Sequence, residues 1–102
     1  MINNILKKYI QKFDKKIVEK EDAIKFMIGK QLCFSQKPIN PSSLSDIEFK
    51  VFSQWGEDGI IEYLVNKLPI KNKFFIEFGV ENYNESNTRF LMMNRNWGGR
   101  NY

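Results

Sequence analysis

Residues 74–88 read FFIEFGVENYNESNT, and the fold turns on them. Phe74, Phe75 and Ile76 make a short apolar run that ends in an acid, Glu77, and a glycine, Gly79. The polar residues Asn82, Asn84 and Ser86 suit a turn, and from Ser86 the order Thr88, Phe90, Leu91, Met92 starts a helical pattern. The stretch therefore reads as strand, turn and helix. In open α/β sheets ligands are met outside the carboxyl ends of the strands, which gives Glu77 and Gly79 the position of binding residues.

Downstream, the helix runs towards Asn96, with Met92 and Met93 expected as core fillers. Trp97, Gly98 and Gly99 form a break where a doubly wound fold would enter its second strand. The expectation is one clear strand, with the sequence ending at Tyr102 before a second is established.

Upstream, residues 47–69 read IEFKVFSQWGEDGIIEYLVNKLP. Ile47, Phe49 and Val51 alternate with Glu48 and Lys50, which predicts a short extended piece, and Ser53 to Gly59 predicts a polar turn. A helix follows, with Ile60, Ile61, Leu64, Val65 and Leu68 as its apolar face and Pro69 as its stop. Glu57 and Asp58 sit at its positive end, where dipole and capping effects of about 0.3 to 1 kcal/mol each account for them without a ligand. Gln54 and Trp55 in the same turn add an amide and a flat aromatic surface, a combination that also suits a polar ligand.

The first thirty residues give the longest helical pattern. Ile2, Ile5, Leu6, Tyr9, Ile10, Phe13, Ile17, Ile24, Met27 and Ile28 follow helical spacing, and lysines fill the other face. Eight lysines there stand against four acids, so the whole formal charge of +4 belongs to this segment. The apolar stripe needs a cover, which its own domain, a partner subunit or an anionic membrane surface can supply. Nucleic acid is disfavoured, because the basicity is modest and the later aromatics are not interleaved with basic clusters. Residues 31–46 read as a connector, broken by Pro38 and Pro41 among three serines, with Cys33 and Phe34 as buried anchors.

Composition narrows the chemistry. Hydrophobic residues at 42% and aromatics at 15% support a folded core rather than disorder. One cysteine cannot form an internal disulfide, which fits a reducing cytoplasm. The absence of histidine removes the commonest general base and metal ligand, so a zinc site is disfavoured. No apolar stretch has the length of a signal peptide core or membrane span.

Three blocks in order, SQWGEDGIIEYL, FIEFGVENYNESNT and a helix ending in NWGG, resemble the N-terminal part of the FkbM-like S-adenosylmethionine-dependent methyltransferases over residues 52–99. The resemblance implies an α/β chain, mostly helical, forming the N-terminal portion of a Rossmann-like methyltransferase fold behind a long amphipathic helix. Its parts are the basic helix at 1–30, the connector at 31–46 and the start of the domain at 47–102. It implies S-adenosylmethionine as cofactor, with Glu77, Gly79, Val80, Glu81 and Asn82 facing it and Gln54, Glu57 and Asp58 contributing. The acceptor it implies is a glycan or small-molecule hydroxyl.

These residue types suit that ligand. A carboxylate attracts the sulfonium and ammonium, and a glycine removes the Cβ that would bar close approach. Where the general methyltransferase loop has further glycines, this chain has Glu81 and Tyr83, so its loop is built differently. No residue stands out as a base for the acceptor. A nicotinamide enzyme would want G-x-G-x-x-G after the strand, and here the acid precedes the glycine. The sequence thus leads to the expectation of a truncated methyltransferase that lacks turnover, or else a non-catalytic module docking through its basic helix.

Overall fold

The structure is a computed structural model that describes residues 2–80 and 85–102. Helix α1 spans Ile2–Gln36, a 3-10 turn follows at Leu44–Asp46, and then come α2 (Glu57–Lys67), β1 (Phe74–Glu77), α3 (Arg89–Arg95) and β2 (Gly98–Asn101).

Helix α1 continues through Gly29, past the end expected at residue 30, and stops short of Pro38. A glycine inside a helix costs about 1 kcal/mol against alanine, too little to end a long helix held by packing. Packing also requires it, because a Cβ on Gly29 would lie 2.5 Å from the Phe90 ring and 2.8 Å from Val51. The stop comes from Pro38, which disfavours helical geometry at the residue before it.

The face of α1 that meets the rest of the chain holds Asp22, Phe26, Gly29, Cys33 and Gln36. At about 100° per residue, these lie on the side opposite the apolar stripe. Of the three covers considered for the stripe, its own domain is therefore not the one observed: Tyr9, Phe13 and Met27 are 69%, 66% and 70% exposed. Phe34, expected as a buried anchor, is also exposed, whereas Cys33 is buried.

The segment 47–56 contains no strand: residues 48–50 have no regular structure and 51–56 are a series of bends. Its backbone groups bond to neighbours that are not strands. Gln36 Nε2 donates to the carbonyl of Ile47 at 2.7 Å and to that of Gly59 at 2.6 Å. The Gly59 amide donates to Phe49. Burial still alternates as the sequence predicted, with Ile47 and Val51 buried, Phe49 half-buried and Glu48 and Lys50 exposed, but no neighbouring strand pairs with the segment.

Two apolar clusters make the core. One joins Cys33, Val51, Phe52 and Phe90, with Phe26 and Phe49 against it, and the other joins Phe75, Leu91 and Trp97, backed by Ile61 and Val65 of α2. Helix α3 lies between them, since the adjacent residues Phe90 and Leu91 enter different clusters. Met92 and Met93, expected inside, lie at the surface, as do Leu64 of α2 and Leu68 just beyond its end.

The expectation of a single strand is corrected: β2 pairs with β1 in parallel, Phe74 opposite Gly98 and Glu77 opposite Asn101. Helix α3 connects them, so residues 74–101 form a strand-helix-strand crossover. Gly99 allows the close pairing, because a Cβ there would fall 2.5 Å from the Phe75 ring. Asn96, at φ 55°, closes α3 in the left-handed conformation that turns the chain into β2. Glycines followed by Arg100 and Asn101 have low strand propensity, which is why the sequence hid this strand. Only one face of the pair is covered: Phe75 is buried, while Phe74 and Ile76 are exposed.

Candidate functional site

Glu77 ends β1 and reaches across to the start of α3. Its Oε2 accepts the amide of Asn87 at 2.9 Å, and its Oε1 accepts the amide of Thr88 at 2.9 Å and the Thr88 hydroxyl. The side chain thus satisfies donors that a helix N-terminus otherwise leaves open, and its charge is favoured there by the helix dipole. Ser86 Oγ adds a second cap by accepting the Arg89 amide at 3.1 Å. A carboxylate has about four acceptor sites, so Glu77 retains capacity towards a further donor or cation.

Gly79 follows with φ 79°, and nothing lies within 4 Å of where its Cβ would be. It is exposed and left-handed, a conformation that suits glycine best. The amide of Val80 donates to Tyr102 at 3.1 Å, and that of Tyr102 donates to Glu77 at 2.8 Å, so the ends of β1 and β2 are tied together just beyond the sheet. Phe78 stacks on Tyr102 at 5.2 Å between ring centroids. Glu81 and Asn82 lie outside the described residues.

The other expected residues divide sharply. Asp58 is buried, and its Oδ2 accepts the amides of Val51, Phe52 and Ser53 at 2.7, 2.7 and 2.9 Å. The Asp58 amide donates back to Ser53 Oγ at 3.3 Å, a reciprocal cap that fixes the bends in front of α2. Its carboxylate therefore does more than sit near a helix dipole: it holds the turn. Glu57 is half-buried and accepts the Trp55 amide at 2.9 Å, while Gln54 and Trp55 are exposed.

A polar cleft of about 300 Å³ joins the first two blocks. Phe52 and Ser53 line one wall, Glu85 and Arg89 another, and Asp22 and Lys25 of α1 a third. Arg89 pairs with Asp22 at 2.8 Å and lies 4.0 Å above the Phe52 ring. Glu77 and Asp58 shape this cleft from behind, through the α3 cap and the Val51–Ser53 turn. Gln54, Glu57 and Gly79 do not line it.

Sequence reasoning missed a second polar group. Glu62, wholly buried, accepts Arg95 Nε at 2.6 Å and Asn94 Nδ2 at 2.5 Å, and Arg95 also reaches Asn66. Asn94 Nδ2 lies 3.9 Å from Cys33 Sγ. Burial, with Glu62 beside it, pushes the Cys33 thiol from its ordinary 9.0 to about 12. The signal was present in α2: Asp58, Glu62 and Asn66 recur every fourth residue and so share a face.

No protein family, curated protein or solved structure matches the chain. Among the described residues, no helix is long and apolar enough to cross a membrane.

Proposed function

We propose that the chain binds S-adenosylmethionine at the carboxyl ends of β1 and β2, as the N-terminal part of an FkbM-like methyltransferase domain whose acceptor is a glycan or small-molecule hydroxyl. The observation that carries this reading is a parallel crossover in which an acid at the end of the first strand caps the connecting helix and is followed by an open glycine at φ 79°. Ligands of parallel α/β sheets enter at that edge. Glu77 supplies negative charge towards a sulfonium or ammonium, and Gly79 leaves space for the ligand to come close to the backbone. Asp58 contributes by fixing the turn that carries Gln54, Trp55 and Glu57.

Methyl transfer is a displacement at carbon, so alignment of acceptor and sulfonium dominates its rate. On this reading the strand ends supply the cofactor edge, and no base among the described residues is assigned to an acceptor; binding without turnover is the expected behaviour of this chain. The uncovered face of the sheet, with Phe74 and Ile76 exposed, is where further elements of such a domain would pack.

Calorimetric titration of S-adenosylmethionine into the purified chain, with circular dichroism to establish folding, tests the reading. Saturable binding is expected, weakened about tenfold or more by Glu77→Gln and abolished by Gly79→Val. A folded chain that takes up no S-adenosylmethionine overturns it, and binding unaffected by both substitutions removes these residues from the site.

A further inference from the structure

We propose that α1 is a membrane-surface helix that lays its apolar stripe on an anionic lipid bilayer and holds the α2-α3-sheet body on the solvent side. The proposal stands apart from methyl transfer and rests on the two faces of α1. Ile5, Tyr9, Phe13, Ile17, Ile24 and Met27 are exposed, between 39% and 70%. The body is attached on the opposite face, through Phe26, Gly29 and Cys33. A surface laid along the stripe therefore meets no part of the body first.

The form of the stripe selects a lipid surface over a second helix. At 3.6 residues per turn its residues spread over about 140° of arc, broader than the narrow seam of a two-stranded coiled coil. Lys20 and Gln31 fall within that arc, where a packed helical seam would bury them, whereas a lysine at a bilayer can extend its ammonium to the headgroups. Charge points the same way: α1 holds eight lysines and four acids, and with them the whole net charge of +4. Two parallel copies would repel, while an anionic leaflet attracts.

On one flank the two properties meet in a single hollow of about 430 Å³, lined by Ile5 and Tyr9 on the stripe side and by Lys8, Gln11, Lys12 and Lys15 above. That order, apolar below and cationic above, matches a lipid chain beneath its phosphate. The length of α1, 35 residues or about 52 Å, gives room for several such contacts along the surface.

Flotation of the full chain with vesicles of equal parts phosphatidylcholine and phosphatidylserine tests the proposal, with pure phosphatidylcholine vesicles as reference. Binding to the anionic vesicles is expected, falling about fivefold for each of Lys8→Gln, Lys12→Gln and Lys16→Gln. Phe13→Glu and Asn4→Glu change the charge equally, but only Phe13 belongs to the stripe and Asn4 lies on the opposite face, so Phe13→Glu should weaken binding far more. Circular dichroism of each variant checks that the helix is retained. Failure of the folded parent to float, or equal effects of the two glutamate variants, overturns the proposal. So does a dimer in sedimentation, measured without lipid, that Phe13→Glu dissociates, since the stripe would then belong to a second copy.

Discussion

Between Asp22 and Gln36, α1 is fastened to the body by an ion pair to Arg89, by Phe26 set edge-on to Phe90, by the close fit at Gly29, and by two hydrogen bonds from the Gln36 amide. Between Asn3 and Glu21, every residue of the same helix is exposed. The fastened half uses a glycine, a cysteine, a glutamine and an aspartate, and the free half carries Ile5, Tyr9, Ile10 and Phe13 outward. Apolar periodicity therefore marks where a helix can bury surface, and does not by itself say that its own domain does the burying. Small and polar residues can define the packed face when they permit close approach or satisfy buried backbone carbonyls.

The comparison breaks most completely if the body fails. Asp58→Ala removes one acceptor shared by three buried amides at residues 51–53 and leaves all three without it. An unsatisfied buried donor costs about 1–3 kcal/mol, so a loss of roughly 3 kcal/mol or more is expected. Urea unfolding followed by tryptophan fluorescence measures it. A change below about 1 kcal/mol would mean that the turn is held by the burial of Val51 and Phe52 and not by the carboxylate.

Gly29→Ala attacks the attachment of α1 more locally. Alanine is the better helix former by about 1 kcal/mol, which favours the variant. Against this, its methyl would meet Phe90 at 2.5 Å and Val51 at 2.8 Å, and Phe90 is wholly buried and has little room to shift. Overpacking of this kind costs about 1–3 kcal/mol, so the net effect is a destabilisation of about 1 kcal/mol. Cys33, one turn further on, reports the same event. Buried and held at a pKa of about 12, its thiol should react slowly with iodoacetamide at pH 8 and faster in the variant. The unfolded chain releases this proton near 9.0, before the folded one does, so the thiol's contribution to stability is intact below 9.0 and is lost as the pH rises towards 12. An alkylation rate equal in native and urea-unfolded chain would show that the face at Cys33 opens freely.

How far these arrangements could be read from the residues depends on the kind of signal each leaves. Strand β1, helices α2 and α3, and the first thirty residues of α1 leave periodic apolar patterns, and these were legible; the last turns of α1, to Gln36, were not. Strand β2 was not, because two glycines, an arginine and an asparagine carry no apolar alternation to mark a strand. Glu77 and Gly79 were legible as the end of a strand. That Glu77 caps α3 required knowing that residues 87 and 88 fold back onto it, ten and eleven positions away. Asp58 was readable as a helix-start acid, but its hold on Val51 to Ser53 reaches back along an irregular segment and leaves no periodic trace. The orientation of α1 was hidden for a related reason: Gly29 and Cys33 mark a contact only once Phe90 is known to face them.

The smallest effects are expected in the free half, where the comparison can be sharpened. Phe13→Gln exchanges an exposed ring for a polar chain of comparable helix propensity, and global stability in urea should move by less than about 0.5 kcal/mol. The informative measurement is amide hydrogen exchange resolved along α1. An isolated helical segment of this length is marginal in water, so amides from Leu6 to Lys20 should open locally and exchange fast, while those from Phe26 to Gln36 should be protected through the contacts to α2 and α3. Anionic vesicles should raise protection in the first segment of the parent chain and leave the second nearly unchanged, and Phe13→Glu should abolish that rise. If both segments exchange alike without lipid, the free half is stabilised by something other than a bilayer. The division of α1 into a fastened half and a docking half would then have to be redrawn around that contact.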